Sequence, residues 1–286
     1  MEFLTFTINE VSKIIMCNDL SCIQNNKSIN QMEDLPLSLY SSNDNFWNKL
    51  REATELLGIY LQYFSEFKKW GIRAVNCANF LCFKFEINKE TGEIILKLIS
   101  ADFCKLRHCP VCNWRRTLRL RASFFSFIKP FMEKNPRARW IFLTLTVPNV
   151  PIEDLGDQLT KMNQAWKRLI QRKSLGFVQG FIRSTEVTRE QKRRNYAHPH
   201  FHVLLQVEES YFQGYNYLSQ EKWLKLWQEA MRDDSINMVN VKAIKKDISV
   251  DGIILEVTKA FTYSIKLEEY KNPDEWLLEY FRQVHR

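Results

Sequence analysis

No apolar run in this chain approaches the ~18 residues that cross a bilayer, and the N-terminus lacks the basic start and long apolar stretch of a secretory signal. The expected setting is therefore the cytoplasm, with no membrane partner. In that reducing compartment clustered thiols bind metal more often than they form disulfides, so the seven cysteines are read as metal ligands first. No internal repeat is present. Histidine is scarce too: there are five in 286 residues, yet three fall between positions 198 and 202.

What is present bounds the class. Hydrophobic residues make up 45% of the chain, enough for a sizeable core, and the length suits one catalytic domain with an accessory module. The net charge of +8 favours an anionic partner, of which nucleic acid is the commonest.

Residues 1–45, polar around Asn25, Asn26 and Ser41, read as a flexible arm. Residues 46–70 carry Leu50, Leu57, Tyr60, Leu61 and Phe64 at helical spacing and predict one amphipathic helix. Short strands surround the cysteines over 73–115, and 116–131 predicts a helix ending near Pro130. These segments form a helical, cysteine-rich module over 46–136. From 137 to 286 the pattern is regular. Strands are predicted at 140–147, 177–188, 200–207 and 237–244, and helices at 153–173, 218–231 and 252–270. The fold class is α+β: a ferredoxin-like, RRM-like antiparallel sheet in the order β-α-β-β-α-β, with a trailing helix.

The histidines lie in His198-Pro199-His200-Phe201-His202. Alternate strand residues face one side, so His200 and His202 point together while Phe201 and Val203 point into the core. Two imidazoles on one strand face can bind the same ion. The preceding strand holds one acid, Glu186, which reaches that face if the two strands pair antiparallel. A carboxylate with two imidazoles suits Mg²⁺ or Mn²⁺ and leaves positions for water and a phosphate oxygen. His198, beside Pro199, is placed at the DNA entrance.

The His-hydrophobic-His triplet resembles the core motif of plasmid rolling-circle replication initiators and related relaxases, the His-hydrophobic-His endonucleases. Phe142-Leu143-Thr144-Leu145-Thr146-Val147 resembles their first motif. Arg183-x-x-Glu186-x-Thr188 followed by the histidine segment is similar to the plasmid branch. The resemblance runs from about residue 73 to 270. It implies that residues 137–286 are a nuclease domain of the single-tyrosine type, whose metal polarises a scissile phosphate. Tyr263-Ser264-Ile265-Lys266 matches the third motif, Tyr-x-x-Lys, making Tyr263 the nucleophile and Lys266 the group that steadies the phosphate.

Helical spacing supports that assignment separately: Glu256, Lys259, Tyr263, Lys266 and Tyr270 fall on one stripe. Neighbouring Lys charge favours the phenolate of a group whose ordinary pKa is about 10. Plasmid members usually place Lys directly before Tyr and Glu four residues before it. Here Thr262 precedes Tyr263, and Glu256 stands seven residues back. Glu256 is the candidate for activating water at termination, with a second copy's Tyr263 as the other route.

Cys104-x4-Cys109-Pro110-Val111-Cys112 is a second metal signal, because a Cys-x-x-Cys turn lets two thiolates grip one tetrahedral ion. Cys104 is a third ligand. The fourth is Cys77 or Cys82, with Cys77 closer to the upstream cysteine of the plasmid initiators and His108 a weaker alternative. Structural Zn²⁺ fits such a site; a redox pair is the competing reading. Cys17 and Cys22 in the arm are expected to be free. Arg115, Arg116, Arg119 and Arg121 at the following helix start, and Lys192, Arg193 and Arg194 before His198, are candidate DNA contacts.

The resulting expectation is a metal-dependent endonuclease acting on single-stranded or extruded DNA, with host helicase and polymerase as partners and a homodimer as a further option. The rival is a non-catalytic, zinc-stabilised nucleic-acid-binding protein, either an RNA-binding platform or a transcription regulator. An RNA platform needs exposed aromatics on its central strands, where Phe142 and Phe201 are both expected to be core.

Overall fold

The computed structural model describes residues 3–7, 13–17, 44–87, 90–92, 94–214, 216–244 and 265–284. The chain divides into two compact units. One comprises residues 1–113 with 270–272, the other residues 114–269 with 273–286.

In the first unit, β1 (Phe3–Thr7) and β2 (Lys13–Cys17) precede helices α1 (Asp44–Gln62) and α2 (Lys68–Val75) and strands β3 (Phe80–Ile87) and β4 (Ile94–Ala101). The strands form an antiparallel sheet in the order β2-β1-β3-β4. Two stretches read from sequence as part of a polar arm are thus strands of a sheet. The single helix expected over 46–70 is also corrected, because the chain turns at 63–67 and returns as α2. That turn reads Tyr-Phe-Ser-Glu-Phe and contains no proline or glycine, so no local breaker marks it. The cause is tertiary. A Cβ on Gly71 would lie 2.6 Å from the Gly58 carbonyl oxygen, so α1 and α2 touch backbone to backbone where neither carries a side chain.

Helix α3 (Pro110–Lys134) starts earlier and ends later than expected, with Pro130 inside it. An interior proline costs about 3 kcal/mol. The last turn is held on regardless, because Phe131 and Met132 pack against Phe124, Ile128, Trp140, Leu204 and Ile244.

The second unit continues with β5 (Arg139–Thr146), β6 (Val150–Pro151), α4 (Leu155–Ile170), β7 (Val178–Arg189), β8 (Tyr196–Val207), α5 (Gln220–Met231) and β9 (Val239–Ala243). Short helix α6 (Leu267–Lys271) and α7 (Glu275–Val284) follow. The main sheet runs β7-β8-β5-β9, all antiparallel, with β6 beside the start of β8. This is the ferredoxin-like β-α-β-β-α-β order expected from sequence, and the α+β class holds.

Alternation decides which face is which. Ile141, Leu143, Leu145, Phe201, Val203 and Leu205 point to one side and pack with Met162, Trp166 and Leu169 of α4 and Trp223 and Trp227 of α5. Ser219 caps α5 by accepting from the Lys222 backbone N–H. Trp227 also donates its indole N–H to the Thr146 carbonyl at 2.8 Å, so Trp227→Ala would remove both packing and a hydrogen bond, at about 3–5 kcal/mol. The opposite face is covered at one end by α3 through Phe124 and Ile128. The other end of that face carries the histidines.

Strand β8 begins at Tyr196, four residues before the expected start, and passes through Pro199. On one side β8 pairs β5 from His200 onward and β6 up to Ala197. Pro199 falls in the gap between them, where a missing N–H costs a central strand least. No helix among the described residues is long and apolar enough to cross a membrane.

Candidate functional site

The register brings Glu186 of β7 opposite His200 of β8, and Ser184 opposite His202. Glu186 Oε2 then lies 3.1 Å from His200 Nε2 and 2.8 Å from His202 Nε2. Burial works to raise the Glu186 carboxyl, but the hydrogen bonds with His200 and His202 outweigh it and hold its pKa at about 2. One donor atom from each of the three side chains lies within 4.8 Å of the others, so the group could hold a metal ion.

The atoms behind the group test that fit. His200 Nδ1 is 3.3 Å from the His198 carbonyl oxygen, which can only accept, so with an ion bound the ring proton would sit on Nδ1 and leave the Nε2 lone pair for the ion. His202 Nδ1 is 3.4 Å from the Thr144 hydroxyl, which can accept in the same way. Both Nε2 atoms point at the Glu186 carboxylate, so the three side chains present donor atoms that one cation could share. Partners on the far ring nitrogen are what metal-binding histidines ordinarily have. Thr146, next along the face, donates to the Met238 carbonyl at 2.6 Å. His198 is placed beside the group, not in it: its ring centroid is 5.2 Å from that of His200, and its Nδ1 is 2.5 Å from Asn149 Oδ1.

Phe201 is fully buried on the helix side, as expected. Phe142 is not on that side. It packs, partly buried, against the cluster of Phe124, Ile128 and Trp140, but on the site face, where it stacks on His202 with centroids 5.7 Å apart, which corrects the face expected for it.

The second metal group is Cys77, Cys104, Cys109 and Cys112, all buried. Cys77 Sγ is 3.6 Å from Cys112 Sγ and 3.7 Å from Cys109 Sγ, and Cys104 Sγ is 3.5 Å from Cys112 Sγ. Thiolates bonded at ~2.3 Å to one tetrahedral ion stand about 3.8 Å apart, so the sulfurs already approximate that figure. Hydrogen bonds from Cys104, Cys109 and Cys77 hold the Cys112 thiol well below its ordinary range, while burial pushes Cys109 well above it.

The backbone is bent to serve the cluster. Ala78 and Lys105, each directly after a cysteine ligand, adopt φ of 62° and 59°. Non-glycine residues in that region cost on the order of 1–3 kcal/mol and persist only where surroundings impose them. Cys109 stands immediately before α3, and its sulfur is 3.5 Å from the Cys112 N–H. Cys82 is buried on β3 and His108 is buried beside the cluster, but neither belongs to the four.

Tyr263, Glu256, Lys259 and Cys22 lie outside the described residues. Lys266 is described and exposed, but not in a helix: of the helix expected over 252–270, residues 252–264 lie outside the described residues, 265–266 are not helical, and α6 begins at Leu267. Tyr270, placed on the tyrosine stripe from sequence, is 2% exposed. Arg116 and Arg119 are exposed on α3, with Arg115 and Arg121 half-buried. Lys192, Arg193 and Arg194 are exposed in the β7–β8 turn, six to seven residues beyond the register pair of Glu186 and His200. Arg193 pairs with Glu190 at 3.0 Å and lies over the Tyr196 ring.

Sequence reasoning missed Thr144 and Asn149, whose partners depend on strand register. It also missed Arg189, which pairs with Glu269 at 3.2 Å and Asp274 at 2.8 Å and lies over Trp276.

A family model described as "Replication protein" matches residues 95–286. The chain belongs to that replication protein family. It is 38% identical over 200 residues to "Protein rep" of Streptococcus pneumoniae serotype 2, covering 68% of this chain and 61% of that one. It is 40% identical over 185 residues to "Protein rep" of Bacillus amyloliquefaciens, covering 64% and 52%. To "Protein rep" of Staphylococcus aureus it is 37% identical over 174 residues, covering 60% and 73%. The matched stretch spans about three fifths of the length of the Streptococcus relative. No solved structure matches the chain. Glu186, His200, His202, Tyr263 and three of the four clustered cysteines fall inside the family stretch, and Cys77 lies upstream of it.

Proposed function

We propose that this replication protein initiates rolling-circle replication of a plasmid by nicking one strand at an origin. The observation that carries the reading is the group of Glu186, His200 and His202 on the face of the sheet away from α4 and α5, with both imidazole Nε2 atoms within 3.1 Å of one carboxylate oxygen. Those three side chains would hold Mg²⁺ or Mn²⁺. Such an ion, when bound, withdraws charge from a scissile phosphate.

Tyr263 supplies the nucleophile. Its oxygen attacks phosphorus in line, the bond to the 3′ oxygen breaks, and the 5′ phosphate stays on the tyrosine. The 3′ oxygen leaves, takes a proton and becomes the hydroxyl that primes a polymerase. Lys266, exposed three residues after Tyr263, steadies the phosphate. Lys192 and Arg194 in the β7–β8 turn, together with Arg116 and Arg119 on α3, contact flanking phosphates. The substrate is single-stranded or extruded at the nick. A host helicase and polymerase act next, and a second copy of the chain could complete the second strand transfer.

The four clustered cysteines hold structural Zn²⁺, whose binding folds the turns around them. The zinc module and the nuclease domain are then two functional parts of the chain.

The test is incubation with supercoiled plasmid and Mn²⁺, followed by denaturing electrophoresis. A protein-linked DNA band that is absent in EDTA is expected. Free nicked DNA with no linked protein would refute the tyrosine mechanism.

A further inference from the structure

Helix α2 is too short to stand alone, since isolated helices below ~12–15 residues are marginal in water. Yet its eight residues are anchored on every inward side. Gly71 meets Gly58 of α1 backbone to backbone. Arg51 donates to the Val75 carbonyl at 2.8 Å, and Arg73 donates one guanidinium N–H to the Cys104 carbonyl. Cys77 of the tetrathiolate cluster follows the helix by two residues. Inward burial falls on Gly71 and Ala74.

The outward stripe is Lys68, Lys69, Ile72 and Asn76, all exposed and none acidic, with the Asn76 amide donating to the Ile72 carbonyl at 2.9 Å. Ile72 at its centre is 44% exposed. A duplex-reading face uses such a set: Lys for phosphates and guanine edges, and an apolar side chain for the thymine methyl. A helix of this length spans ~12 Å, or roughly three to four base pairs at ~3.4 Å each, and the major groove admits one helix. Residues 68–76 also lie upstream of the stretch shared by the family model.

We infer that α2 is a sequence-reading element for duplex DNA, held in position by the cysteine cluster. The occupant is the double-stranded part of an origin. The inference rests on the proposed action at DNA but assigns recognition to a face that takes no part in nicking.

The test selects from a randomised 30-base-pair duplex pool with the full chain loaded with zinc. Enrichment of a defined motif is expected. Lys68→Ala/Lys69→Ala should weaken binding to the selected duplex at least about tenfold and reduce the slope of log affinity against log salt by about 2. Lys68→Arg/Lys69→Arg should restore the slope, and Ile72→Gln should change the motif selected, which loss of folding would not do.

Covalent linkage to circular single-stranded phage DNA with Mn²⁺ is measured in parallel. Adducts at the wild-type rate, combined with unchanged duplex binding by the Ala variant, overturn the α2 assignment and leave nicking intact. No adduct from the wild type, combined with α2-dependent selection, overturns nicking and leaves α2 standing. Enrichment of no motif, or tighter binding to RNA of the same sequence, also overturns the assignment.

Discussion

Glu186 Oε2 is shared by two imidazole nitrogens at 2.8 and 3.1 Å, so the carboxylate is the one group both histidines require. Glu186→Gln keeps the shape and removes the charge. We expect Mn²⁺ affinity, followed by electron paramagnetic resonance titration, to fall at least about tenfold, since even the partners behind metal ligands are worth 10–100-fold. Unchanged affinity would remove Glu186 from the ligand set. Tyr263→Phe should end adduct formation while DNA retention in a filter assay persists, because only the nucleophilic oxygen is lost. Tyr270→Phe should form adduct at the normal rate, since Tyr270 is 2% exposed; adduct loss in Tyr270 but not Tyr263 variants would reverse the assignment. The triad was readable from sequence because strand alternation alone puts His200 and His202 on one face. Thr144 was not, because its closeness to His202 exists only in the β5–β8 register.

Elements were readable where burial follows a single period, as in α4, α5 and the strands of the main sheet. They were not where a tertiary contact overrode the pattern. The apolar spacing through Phe64 suits one helix, and the reversal at 63–67 is imposed by the contact of Gly58 with Gly71. Pro130 signalled an end that packing of Phe131 and Met132 overruled, and Pro199 a start that the gap between β5 and β6 made unnecessary. The glycine contact gives a direct check. In Gly71→Ala the new methyl would sit 2.6 Å from a backbone oxygen that cannot move without shifting α1. We expect urea unfolding to show a loss of about 1–3 kcal/mol, the usual cost of overpacking. A neutral result would mean that the two helices have room to separate.

At the scale of the whole chain, two compact units each carry their own candidate metal group, and α3 belongs to both. Its first turn holds Cys112, and its later turns put Phe124 and Ile128 against the main sheet. With zinc in the cysteine cluster, as proposed, the unit that carries it would depend on the ion, because structural zinc contributes about 10–16 kcal/mol in small zinc domains. Whole domains are stable by only ~5–15 kcal/mol. The other unit has a core of its own around Trp166, Trp223 and Trp227. Cys109→Ser should therefore abolish bound zinc by elemental analysis and open the first unit to trypsin. A protected fragment beginning within α3 should survive, and adduct formation on single-stranded DNA should continue at a comparable rate. Duplex discrimination should vanish with the first unit, since α2 loses its mounting. Brief EDTA treatment followed by Mn²⁺ should show the reverse dependence: activity lost and regained with the trypsin pattern unchanged. If Cys109→Ser instead loses adduct formation while the fragment stays protected, the shared helix carries the state of the cysteine cluster to the nuclease face, and the two units do not work independently.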